Sequence, residues 1–166
     1  MAQERYSIFY SSRTGNTRML ADAIREALPK DACDGFGTND TAEPLSELLY
    51  VGFWTDRGNA DSDALALLAR LRKKKIFLSG TAGFGSEAYY RKVPDRVRQS
   101  VDESNTIVGT YMCQGKMPQA VKERYLRMKQ MPEHPENLDA LIRSFDCALS
   151  HPDAEDLEAL KNTVRN

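Results

Sequence analysis

Leu48-Leu49-Tyr50-Val51-Gly52-Phe53-Trp54 is an unbroken apolar run near the middle of the chain. It is far short of the roughly 20 apolar residues that cross a bilayer. It also lacks the apolar–polar alternation of a strand with one face in water, so it reads as a strand covered on both faces. Something must therefore pack above it and below it. Met19, Leu20, Ala23, Ile24, Ala27 and Leu28 recur at three- and four-residue intervals. They predict a helix over 17–28 that ends at Pro29. Short β-rich runs at Tyr6–Tyr10, Ile76–Gly80 and Thr106–Met112 read as further strands, with a weaker one over 33–36. Helical patterns cover 61–72, where Asp61 or Ser62 is the N-cap, and 86–100, with a break or kink at Pro94. Three more helices, over 118–130, 136–149 and 154–164, follow the last strand.

The resulting order is β-α-β-β-α-β-α-β and then helices. Strands alternating with helices predict the α/β class: a doubly wound, mostly parallel sheet with helices on both faces. Right-handed crossovers put the strand-to-helix loops at one edge, and ligands bind at that edge. The loops of interest follow Tyr10, Trp54, Gly80 and Met112. At 166 residues, 41% hydrophobic and 28% charged, the chain suits one folded domain over 1–166, with 131–166 as a helical C-terminal extension.

Several function classes are excluded. Gln3, Glu4 and Arg5 precede the first apolar run, unlike a secretion signal, so a cytoplasmic protein with no membrane attachment is expected. Cys33, Cys113 and Cys147 are widely spaced and form no CxxC pair. His134 and His151 both lie in the C-terminal part. A zinc site, a disulfide framework and a metal-ligand cluster are therefore not expected. The net charge is −1, yet Arg70–Lys75 and then Arg91, Lys92, Arg96 and Arg98 concentrate positive charge. A solvated helix end that complements the helix dipole accounts for such a run. No aromatic-interleaved basic motif or zinc-finger pattern points to nucleic acid.

The first loop, Ser11-Ser12-Arg13-Thr14-Gly15-Asn16-Thr17, packs small polar residues between a strand and a helix N-terminus. Such a turn presents unpaired backbone N–H groups and the positive end of the helix dipole. Gly15 permits tight curvature. The hydroxyls of Ser12, Thr14 and Thr17, with Asn16, can donate to an anion. This chemistry suits a phosphate monoester held without a metal. A polar turn with a Ser/Thr helix cap is the alternative, but the loop's place after the first strand and before the first helix favours phosphate. Neither GxxxxGK[ST] nor GxGxxG is present.

The loop resembles the phosphate loop of the flavodoxin family, [ST]-x-T-G-x-T, which Ser12-Arg13-Thr14-Gly15-Asn16-Thr17 matches at every position. The resemblance covers the strand and helix order from about residue 5 to about 130. It implies a flavodoxin-like five-stranded parallel sheet of order 2-1-3-4-5 with extra C-terminal helices, and FMN as the cofactor. In the family an aromatic of the loop after the third strand covers one face of the flavin ring, and a glycine there lets a peptide turn toward flavin N5. Trp54-Thr55-Asp56-Arg57-Gly58 is implied for those roles. Thr81-Ala82-Gly83-Phe84-Gly85 and Tyr89 follow the fourth strand. Their glycines let backbone approach a flat ring, and Phe84, Tyr89 or Tyr90 supplies an aromatic, although Tyr89 and Tyr90 also suit the start of a packed helix. The last loop offers Cys113, Gln114, Gly115 and Lys116. Cys113 invites a redox reading, but a lone thiol at a strand end is more often a buried packing residue.

The expected function is electron transfer by bound FMN to a partner redox protein of unknown identity. The flavin carries the chemistry and no side chain acts as an acid or base. The alternative is an FMN-dependent reductase of a small molecule such as a quinone; the chain has no second nucleotide motif, which favours the carrier. A receiver domain would need an acidic cluster where Ser11 and Ser12 stand and an aspartate where Trp54 stands. Family carriers are usually strongly acidic, and this chain is near neutral with a basic segment. That difference, with the C-terminal helices, implies a dedicated partner or a different docking surface.

Overall fold

The computed structural model describes residues 4–84 and 86–165. The strands and α-helices run β1 (Tyr6–Tyr10), α1 (Asn16–Ala27), β2 (Cys33–Thr38), β3 (Leu48–Asp56), β4 (Asn59–Ala60), α2 (Ser62–Arg70), β5 (Lys75–Ala82), α3 (Glu87–Arg98), β6 (Thr106–Gln114), α4 (Gln119–Lys129), α5 (Leu138–Ala148) and α6 (Ala154–Arg165). The five long strands pair in parallel in the order β2-β1-β3-β5-β6. This is the expected 2-1-3-4-5 order. The added element is β4, a two-residue strand antiparallel to the end of β3.

Period-two alternation on strands buried from both sides explains the layering. Tyr6, Ile8, Tyr10, Tyr50 and Phe77 face α1 and α6 and pack with Leu20, Ile24 and Leu160. Leu49, Val51, Phe53, Ile76 and Leu78 face the other way, onto Leu67 and Leu68 of α2 and Val93 and Val97 of α3. The run at Leu48–Trp54 is covered twice over, with Leu49, Val51 and Phe53 fully buried. β2 is longer than its composition suggests, because Gly35 and Gly37 are tolerated on an edge strand that pairs only with β1. α3 continues through Pro94, which is buried, so no break occurs there.

The stretch 131–166 divides in two. α6 lies on α1 and completes that layer, with Leu160 fully buried. α5 buries Leu138, Phe145 and Ala148 and packs on the preceding α4, which itself has no buried residue. α6 opens on a reciprocal cap, in which the Asp156 amide donates to Asp153 Oδ1 and the Asp153 amide donates to Asp156 Oδ2, each at 2.9 Å. His151 Nδ1 lies 2.6 Å from Asp156 Oδ2 and joins the cap.

Candidate functional site

The register sets the carboxyl ends of β1, β3, β5 and β6 side by side: Tyr10 pairs with Gly52, Trp54 with Thr81, and Thr81 with Cys113. The predicted loops meet at this edge. They enclose a cleft of about 410 Å³, lined by Arg13, Thr14 and Asn16, by residues 54–57, by Thr81, Ala82 and Gly83, and by Gly115, Lys116 and Met117. A second cavity of about 350 Å³ adjoins it and holds Ser11 and Ser12. Arg13 and Trp54 line both, the guanidinium lying 5.5 Å from the centre of the Trp54 ring.

Gly15 is the N-cap of α1 at φ 89°, a left-handed conformation that glycine adopts without cost. Its amide donates to Ser12 Oγ at 3.0 Å, which folds the turn back on itself. The hydroxyls of the loop divide by direction. Ser12 and Thr14 are at the open side, where Thr14 Oγ1 makes a long 3.3 Å bond to the Lys116 carbonyl. Ser11 and Thr17 are buried inward. Ser11 Oγ accepts from Asn39 Nδ2 at 2.7 Å, and Thr17 Oγ1 donates to the Phe53 carbonyl at 3.3 Å. Asn16 crosses to the last loop, its Nδ2 donating to the Lys116 carbonyl at 2.7 Å.

The loop after β3 is a hairpin, a feature the sequence reading passed over. Arg57 at φ 52° and Gly58 at φ 81° form its two-residue turn, in the positive-φ form that matches strand twist. Asp61 anchors the hairpin's base. It caps α2 by accepting from the Ala64 amide and also accepts from the Trp54 amide, both at 3.2 Å. Burial raises the Asp61 carboxyl above its ordinary value, partly opposed by these hydrogen bonds. One buried group therefore ties the tryptophan backbone to α2.

Other predicted site residues lie elsewhere. Phe84 and Tyr89 pair with each other edge to face, centroids 5.7 Å apart, and neither lines the cleft. Gly85 is outside the described residues. Gln114 turns toward α5, its Nε2 donating to the Gly83 carbonyl at 3.0 Å and the Ser144 carbonyl at 3.1 Å. Cys113 points into the layer under α1 and α6, as strand alternation requires. Burial, with the Asp156 and Asp153 charges added, pushes its thiol well above the ordinary range. It is a packing residue. With Ellman's reagent on the folded chain, exposed Cys147 should react within minutes and half-buried Cys33 more slowly. Cys113 should react only after denaturation; fast reaction there would overturn this placement.

What the sequence missed is the place of α4 on the cleft. Val121, Arg124 and Tyr125 close the outer wall of the cleft. Tyr125 is the aromatic that accompanies Trp54 there. Two buried polar atoms at the cleft have no protein partner, Asn16 Oδ1 and Thr55 Oγ1, as expected of groups that serve a ligand.

The family model described as a flavodoxin domain matches residues 7–165. The flavodoxin-like domain-containing protein BilS of Clostridium symbiosum is 40% identical over 177 residues, covering 95% of this chain and 93% of that protein. Oxidised flavodoxin 2 from Bacillus cereus shares the fold at 16% identity and a TM-score of 0.60, covering 97% of this chain and 95% of that one. A flavoprotein from Lactobacillus acidophilus, solved in complex with FMN, matches at 12% identity and a TM-score of 0.50 over 66% of this chain and 93% of its own.

Proposed function

We propose, from the premise that this chain belongs to the flavodoxin family, that it holds FMN in the cleft and passes electrons to a partner redox protein. The single observation that carries the reading is the first loop. A left-handed glycine opens a twelve-residue helix, flanked by outward hydroxyls, at a cleft that Trp54 also lines. The residues fit the cofactor. The cleft is within the roughly 300–1,000 Å³ of small-molecule sites. The Asn16 and Thr55 oxygens without partners offer polar contacts, and the helix N-terminus favours a phosphate.

Ser12, Thr14 and the first amides of α1 would bind the phosphate, with Asn16 holding the loop against β6. Trp54 and Tyr125 are the walls that would exclude water from the ring. Thr55, Asp56 and the Arg57–Gly58 turn border its edge, and Thr81, Ala82 and Gly83 let backbone approach closely. When bound, FMN supplies one- and two-electron redox chemistry. The protein's part is binding, orientation and electrostatics.

Mass spectrometry of cofactor released from the FMN-reconstituted chain tests the reading. One equivalent of FMN per chain is expected; uptake of FAD alone, or of no flavin, would overturn it. NADH or NADPH oxidation by the loaded chain alone would assign a stand-alone reductase instead. Thr14→Val should also weaken FMN binding about tenfold or more, since a hydrogen bond to a charged group contributes roughly 1.5–3 kcal/mol. Riboflavin affinity should be unchanged. Equal losses for both ligands in titration calorimetry would contradict the phosphate role.

A further inference from the structure

We propose that the mouth of the cleft is a docking surface for a partner protein whose contact face is acidic; this rests on the carrier reading above. Arg13, Arg57, Lys116 and Arg124 line the cleft, and among the described residues Asp56 is the one carboxylate with them. The whole chain has 23 Lys and Arg against 24 Asp and Glu, so the excess is local. The four cations come from four segments: the β1–α1 loop, the β3–β4 turn, the loop after β6, and α4. All four are exposed, and among the described residues none is in an ion pair. Pairing is available close by, since Lys122 of α4 meets Asp146 of α5 at 2.7 Å.

A phosphate at the first loop would engage the α1 N-terminus beside Arg13. Arg57, Lys116 and Arg124 would then face Asp56 alone around the opening. The conformation of Arg57 is a second, independent sign. It holds φ 52° in a turn position where Asn, Asp or Gly is favoured. A long cation is kept at that tip despite a backbone cost, the pattern of a residue placed for its side chain. Unpaired cations around such an opening speed encounter with an anionic face and fix its orientation.

The test uses the isotope-labelled, FMN-loaded chain and two protein probes: a plant-type ferredoxin, which is acidic, and cytochrome c, which is basic. Each is titrated at about 20 and about 200 mM salt and followed by amide NMR shifts. Ferredoxin should perturb residues 13, 57, 116 and 124, with affinity falling at least about tenfold at the higher salt. Lys116→Glu with Arg124→Glu, once its flavin absorbance shows FMN bound, should lose at least about tenfold at low salt. Arg98→Glu, exposed at the far end of α3, should change little. Tighter binding of cytochrome c, or ferredoxin shifts that map elsewhere, would overturn the proposal. So would citrate reproducing the shifts while ferredoxin gives none, because the site would then serve a small anion. Failure to load FMN strikes the carrier reading alone, and the same titration on the cofactor-free chain still decides the docking.

Discussion

Asp61→Ala is expected to lower the unfolding free energy by about 3 kcal/mol. Loss of an N-cap costs roughly 0.5–2 kcal/mol, and a buried donor left without its partner costs roughly 1–3 kcal/mol more. Both occur here, because the carboxylate is 2% exposed and holds the Ala64 and Trp54 amides at once. For a domain of this size the midpoint of thermal unfolding should fall by about 10 °C, measurable by circular dichroism. FMN affinity should fall too, since the Trp54 backbone loses a tether. A loss below about 1 kcal/mol would show that the hairpin and α2 stand without this group. Asp61→Asn isolates the charge. The folded-state carboxyl lies above its ordinary value because burial disfavours the ionised form. The wild-type contribution is therefore fully present below the unfolded value and is lost as pH rises through the folded one. The stability gap between wild type and the Asp61→Asn variant should accordingly be wider near pH 4 than at pH 7. A gap that widens toward neutrality would reverse the sign argued here.

Gly80→Ala should cost about 3 kcal/mol or more, toward the upper end of overpacking effects. A methyl group there would run into the ring of Phe53 and sit 2.8 Å from Met112 Sδ. Phe53 is fully buried and cannot swing aside. The next residues along β5, Thr81 to Gly83, line the cleft, so the same change should also impair FMN binding. Gly37→Ala is the control, since nothing lies within 4 Å of a methyl group there. It should fall within about 0.5 kcal/mol of wild type. Urea denaturation of the two variants checks the contrast. Phe53→Leu in the Gly80→Ala background should recover part of the loss; no recovery would place the strain elsewhere.

The strands with apolar or β-branched content were legible from the sequence, because burial on both faces leaves a continuous run that little else explains. β1 begins and ends where the run Tyr6–Tyr10 does. The place of the first loop at the cleft was legible because its residue types and its position after β1 agree. The direction of each hydroxyl was not. Ser11 and Thr17 carry the same chemistry as Ser12 and Thr14, and only the packing of Asn39 and Phe53 turns them inward. The β3–β4 hairpin was hidden by Arg57, which stands where Asn or Asp would have announced the turn. α4 was found as a helix, but it has no buried residue and no sharp apolar stripe to say what it leans against. Its place on the cleft follows from its pairing with α5, a contact between segments whose relation no local pattern encodes. Cys113 and Gln114 were brought forward by their position after a strand. Alternation on β6 sends Cys113 to the core, and the Gly83 and Ser144 carbonyls claim Gln114.

The bond from Asn16 to the Lys116 carbonyl joins residues 100 positions apart, and that of Thr14 spans 102. The Lys116 amide is held in turn by the His151 carbonyl at 3.0 Å. The first loop is thus braced by a residue about a hundred positions further along, which is itself held by His151. During synthesis at roughly 5–20 residues per second, the loop would emerge many seconds before its brace. A ribosome-bound chain halted before Lys116 would carry the whole loop motif without the clasp that sets its shape. Closure of this clasp is therefore a late event in the life of the nascent chain, and a truncated product lacking the last loop would lack it.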